Sequence, residues 1–103
     1  MRIEIELDDA KIVADGKYEV SEVYRRLESV LKSQGLKYDG VGCVSGYGTQ
    51  NDYAYCININ LELKDKDWFM PYVKKWHWYT EHGCNDGIKH YARKLRKAYE
   101  PIR

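Results

Sequence analysis

All three tryptophans and the only phenylalanine of this 103-residue chain fall between Trp68 and Trp78, in the run Trp68-Phe69-Met70-Pro71-Tyr72-Val73-Lys74-Lys75-Trp76-His77-Trp78, with Tyr79 next. Aromatic side chains bury more area than any other residue type and dominate binding hot spots. A chain this short has one core with little to spare. The segment is therefore the keystone of that core or the face that grips a partner. Read as a helix that starts at an Asp65 or Asp67 cap, with Pro71 in its first turn, it gathers Trp68, Phe69, Tyr72, Val73, Trp76 and Tyr79 into one sector at about 100° per residue. Lys74, Lys75 and Trp78 then point elsewhere, so Trp78 becomes the tryptophan that burial does not explain.

The other elements follow from periodicity. Arg2–Leu7 alternates strictly, with Ile3, Ile5 and Leu7 on one face of a half-buried strand. Ile12-Val13 reads as a short extended piece and Asp15-Gly16 as a turn. Ser21 caps a helix with Val23, Leu27, Val30 and Leu31 in its apolar stripe, and Gly35-Leu36 reads as a left-handed glycine stop. Val41–Tyr47 and Tyr53–Leu63 read as a hairpin. In its second arm Tyr53, Tyr55, Ile57, Ile59, Leu61 and Leu63 share one face, while Asn58 and Asn60 lie on the other. Asparagine is a poor strand former, so that polar sheet face is either solvated or reads a partner. His82–Gly87 reads as a loop. A last helix covers Ile88–Tyr99, its buried side carrying Ile88, Tyr91, Ala92, Leu95, Ala98 and Tyr99, with Pro101 closing it.

The expected order is β-α-β-β-α-α: a single α+β domain over residues 1–103, with a three-stranded, mostly antiparallel sheet and about three helices on its apolar face.

Charge narrows the partners. The net charge of +1 excludes a globally basic nucleic-acid binder and an acidic DNA mimic, yet residues 88–103 hold Lys89, Arg93, Lys94, Arg96, Lys97 and Arg103 against Glu100 alone. Ten tyrosines against one phenylalanine fit a thin core with much half-buried boundary. Three cysteines without paired spacing, no signal-peptide pattern and no apolar run near 18 residues predict a cytoplasmic protein with reduced thiols and no membrane span.

No catalytic, cofactor or metal signature stands out. His77, His82, Cys84 and His90 are zinc-ligand types, but only His82-x-Cys84 is a short spacing. Cys43 and Cys56 have no neighbouring base in sequence to make a nucleophile. Gly40-x-Gly42 and Gly46-x-Gly48 belong to a hairpin, whereas phosphate loops lead from a strand into a helix. Glu4, Glu6 and Glu62 on a flat wet face lack the dry concavity that shifts carboxyl pKa values for acid–base work, and pairing with Arg2 explains them.

The opening Met1-Arg-Ile-Glu-Ile-Glu-Leu-Asp-Asp9 and the segment Lys66–Tyr79 resemble those of small uncharacterised proteins carried by bacterial mobile elements and phages, over about a quarter of the chain. That resemblance implies a compact accessory protein, an anti-defence inhibitor similar in kind to the anti-CRISPR proteins. It transfers no functional residue. The expectation is a non-catalytic, cofactor-free binding protein that occludes the surface of a host defence protein. Its contact residues would be Trp78 and Lys74 with Lys89, Arg93, Lys94 and Lys97 of the last helix. The alternative is a small nucleic-acid-binding protein that uses that basic helix, with Trp78 or Tyr47 stacking on bases.

Overall fold

A computed structural model describes residues 1–91. The chain is α+β, with elements β1 (Arg2–Leu7), α1 (Asp9–Asp15), α2 (Val20–Lys32), β2 (Lys37–Gly40), β3 (Cys43–Ser45), α3 (Asp52–Leu63), β4 (Val73–Thr80), β5 (Gly83–Asp86) and a final helix α4, whose described residues are 87–91. The sheet has five strands in the order β2-β3-β1-β4-β5, and every neighbouring pair is antiparallel.

β1 keeps the alternation of its sequence and occupies the centre of the sheet. Ile3, Ile5 and Leu7 face the helices and are buried, while Arg2, Glu4 and Glu6 face the open side. α2 buries Val23, Leu27, Val30 and Leu31, the stripe its spacing predicts. It begins after Glu19 rather than at Ser21, without a side-chain cap. Gly35 is not left-handed; it is glycine because α3 passes close by, where a Cβ would stand 2.8 Å from the Tyr55 ring. The piece expected as extended around Ile12 is α1, which Asp8 caps through Lys11 N–H and left-handed Gly16 ends.

Two larger expectations are overturned, and they are mirror images. The segment 53–63 is a helix, not the second arm of a hairpin, and 73–80 is a strand, not a helix. The hairpin is instead β2–β3, turning through Val41 and Gly42. On α3 the inward residues Cys56, Ile59, Asn60 and Leu63 recur at helical spacing, and one of them is polar. Tyr53, Ile57 and Leu61 form a second stripe that is 62%, 39% and 47% exposed. Two stripes superposed on one helix mimic the every-other-residue rhythm of a strand. β4 carries Val73, two tryptophans, Tyr79 and Thr80, residue types that suit a pleated surface. It pairs with β1 along the whole length of that strand, from Arg2 to Leu7. The stretch expected as a loop at 82–87 contains β5. These changes give five strands in place of three.

The core of the aromatic run survives the change of backbone. Trp68, Phe69, Tyr72 and Trp76 are all buried, the first three on tight turns between α3 and β4. Tyr79 leaves the expected sector for the open face, where its hydroxyl donates to Glu4 Oε2 at 3.3 Å. Trp76 is the largest fully buried side chain. It lies opposite Ile5 on β1, meets Phe69 edge-on at 5.1 Å and stacks on Tyr91 at 4.9 Å. Its Nε1 donates to Asn60 Oδ1 at 3.1 Å. The chain crosses the ring at Gly87, where a Cβ would come within 2.3 Å of the indole.

The loop entering α3 is held by one carboxylate. Asp52 accepts from the backbone N–H groups of Tyr47, Gly48 and Thr49 and from the Thr49 hydroxyl. Burial pushes this carboxyl up, but the four hydrogen bonds prevail and hold it below its ordinary value.

Truncation of Trp76 to Ala should cost about 3–5 kcal/mol in denaturant unfolding. Because folding lowers the Asp52 pKa, its contribution is complete above the ordinary carboxylate pKa of about 4 and is lost as pH falls through the lowered value. The Asp52→Asn variant should therefore be less stable at neutral pH, and its stability should fall less steeply on acidification than that of the parent chain.

Candidate binding site

The two faces of the sheet differ in what they offer. On the open face Lys75 Nζ and Arg2 Nε reach Glu4 at 3.1 Å each, Lys74 reaches Glu6 at 3.5 Å, Lys37 reaches Asp39 at 3.9 Å, and His77 Nε2 lies 3.7 Å from Asp86. The hydrogen bond from Lys75 leads the effects that hold the Glu4 carboxyl below its usual range, outweighing partial burial. This face is balanced in charge and paired within itself. Exposed pairs of this kind contribute little and leave no net field to attract a polyanion.

The helix side ends in a groove. One cross-strand row runs from Val44 through Ile3 to Trp78 and Asn85, passing from sealed core to open rim. Trp78 is half-buried: it shares the face of Trp76, 6.1 Å from it, and touches Tyr91 and His90 at 6.1 Å each. The expectation that Trp78 points away from Trp76 is corrected here, because residues two apart on a strand share a face. Around Trp78 opens a concavity of about 410 Å³. α3 contributes Tyr53, Cys56, Ile57 and Asn60 to it, and β4 contributes Trp78 and Thr80. His82, Asn85, His90 and Tyr91 complete the lining from the β4–β5 turn, β5 and α4. Asp86 fixes the start of α4 by accepting from Ile88 and Lys89 N–H, and so sets the wall formed by His90 and Tyr91.

The volume lies within the ordinary range for ligand sites, about 300–1,000 Å³. Among the described residues no Asp, Glu, Lys or Arg lines it. Cys56 is buried, and burial pushes its thiol up to about 11, so it is neutral and a poor nucleophile. The described residues of the groove give it aromatic walls, amide and hydroxyl groups and two imidazoles. Aromatic walls with amide groups between them suit a flat group that can hydrogen-bond.

The residues singled out in the sequence scatter. Lys74 sits at the irregularity where β4 passes Glu6 and Leu7, four residues and about 13 Å of strand from Trp78. Lys89 is exposed just beyond the rim. Arg93, Lys94 and Lys97 lie outside the described residues. Asn58 and Asn60 are on α3, not on a sheet face: exposed Asn58 donates to Gln34, and Asn60 is buried in the groove. Glu62 likewise belongs to exposed α3, away from Glu4 and Glu6. Among the described residues no three His, Cys, Asp or Glu side chains gather as a metal site, and no helix is long and apolar enough to cross a membrane. Sequence reasoning missed Tyr53, Ile57, Thr80 and Asn85 as site residues. The signal that could have found the first two is the Tyr53/Ile57/Leu61 spacing of four, read as a second helical stripe.

No family model, curated protein or solved structure matches the chain.

The thiols give a direct check on this geometry. With Ellman's reagent under native conditions, exposed Cys84 should react first and half-buried Cys43 later. Cys56 should react only as denaturant opens the gap between α3 and β4. Rapid labelling of all three thiols in the folded chain would contradict the placement of α3.

Proposed function

We propose that this chain is a non-catalytic binding protein that grips a protein partner with the groove around Trp78 and the adjoining apolar stripe of α3. The observation that carries this reading is the continuity of the two: Tyr53 and Ile57 line the groove, and Leu61 extends the same exposed stripe along α3. The other exposed large apolar residues among those described, Val13, Val41 and Tyr47, lie on α1, in the β2–β3 turn and in the loop before α3. Scattered single residues of that kind are ordinary, whereas a contiguous patch beside a concavity marks an interaction site. An aromatic anchor in a pocket, surrounded by uncharged contacts, is the usual make-up of an interface hot spot. The partner class that fits the mobile-element resemblance is a host defence protein, inhibited by occlusion of its surface.

The test is a comparison of the parent chain with a Tyr53→Ala/Ile57→Asp double variant, both residues being exposed enough to change without unfolding the core. Affinity for the captured partner should fall by at least about 30-fold, the loss of a hot spot of about 2 kcal/mol, while circular dichroism stays unchanged. Salt-dependent retention on DNA or RNA that survives the double variant and vanishes on replacing Arg93, Lys94 and Lys97 would overturn this reading in favour of nucleic-acid binding.

A further inference from the structure

Asn60 is the one buried amide side chain of the core, 2% exposed. Its orientation is set by chemistry: the Trp76 indole N–H can only donate, so the atom facing it at 3.1 Å is the amide oxygen. The amide nitrogen is left with two N–H donors. Among the described residues its single partner is Cys56 Sγ at 3.7 Å, and sulfur is a weak acceptor. A buried donor without a full partner is costly and calls for an explanation, and Asn60 is part of the groove lining. A group that fills the groove should therefore bring a hydrogen-bond acceptor to Asn60 Nδ2.

The rest of the lining restricts that group further. Trp78 and Tyr91 offer flat aromatic surface, which favours a ring over a branched aliphatic chain. With no fixed charge among the described lining residues, a carboxylate or an ammonium entering the groove would lose hydration without gaining a partner there. A nucleobase would meet the same ring and acceptor requirement. It arrives with a phosphate, though, and among the described residues no Lys or Arg lines the groove to receive one.

We propose that the groove receives a tyrosine side chain of the partner protein, its ring against Trp78 and its hydroxyl oxygen accepting a hydrogen bond from Asn60 Nδ2. This rests on the binding role proposed above and names the anchor that the partner supplies.

The experiment uses the full chain labelled with ¹⁵N and three small probes: p-cresol as the tyrosine side chain, toluene as the same ring without the acceptor, and 1-methyluracil as a nucleobase. Saturable shifts of the Asn60 side-chain amide and the Trp78 indole resonances are expected with p-cresol. Toluene should bind about fivefold more weakly, one hydrogen bond of about 1 kcal/mol converted to an affinity ratio, and should leave the Asn60 amide in place. The Asn60→Asp variant keeps an acceptor for Trp76 and removes the donors, so it should lose the preference for p-cresol; if it does not fold, the comparison of probes on the parent chain still decides. Equal binding of p-cresol and toluene overturns the proposal, as does tighter binding of 1-methyluracil or no saturable shift with p-cresol. Loss of partner capture in the Tyr53→Ala/Ile57→Asp variant with no response to p-cresol defeats the tyrosine anchor and leaves the binding role intact. A response to p-cresol with capture unaffected by that variant defeats the binding role, and with it the assignment of the ring to a partner.

Discussion

The contact on which the rest of the molecule depends is the one between Trp76 and Asn60. An indole sealed from water carries an N–H that must donate somewhere, and the cost of failing is comparable to a sizeable share of a small domain's stability. Asn60 supplies the acceptor from α3. The same ring rests on Ile5 of the central strand, on Phe69 of the turn and on Tyr91 of the last helix, with Gly87 bending the chain over it. Four parts of the chain are thereby positioned against one side chain. Two of them, α3 and α4, form the walls of the groove together with β4, which carries the ring, so the shape of the concavity is a by-product of how the core is closed.

This arrangement also explains why a polar residue sits among apolar ones on α3. An asparagine has an oxygen and a nitrogen at the same end. Satisfying the tryptophan with the first leaves the second, among the described residues, with a thiol as its partner. A structural requirement has thus put a polar side chain into the lining of the groove. By contrast, the open face of the sheet, which carries the charges, is closed upon itself through Glu4. Its polarity is answered within the molecule.

The strands and helices were legible in the sequence where one face alone is apolar. β1 and α2 have a single stripe each, and their buried residues follow from spacing. The two segments that exchange roles, 53–63 and 73–80, fail for a shared reason: each is apolar on more than one side. α3 has its inward stripe interrupted by Asn60 and an outward stripe through Tyr53, Ile57 and Leu61, and their sum alternates like a strand. In β4, Tyr79 on the open face lies three residues from Trp76 on the inner one, which imitates a helical turn. Local preference held the correct answer in both places, since asparagine disfavours strands while tryptophan, valine and threonine favour them. The membership of Trp68, Phe69, Tyr72 and Trp76 in the core needed no knowledge of backbone, because rings of that size in a chain this short have nowhere else to go. The site was legible in two residues, each for a mistaken reason: Asn60 lies on the inward side of a helix rather than on a polar sheet face, and Trp78 stood out as a tryptophan that burial does not explain. Trp78 matters as the half-buried margin of the core rather than as a tryptophan turned away from it.

The position of β1 at the centre of the sheet has a consequence for how the molecule is made. Its first neighbour, β3, is more than thirty-five residues away, and its second, β4, follows some seventy residues after it. During synthesis β1 leaves the ribosome well before either partner, so one flank stays bare until β3 is made and the other until β4 follows. Contacts so far apart in sequence slow folding, and they leave an apolar strand with two free edges waiting in solution. The charged alternate residues Arg2, Glu4 and Glu6 occupy the side of that strand that never enters the core. In the unfinished chain they keep it soluble and discourage pairing with a second copy, so the face that is quiet in the folded protein has its main work before folding is complete.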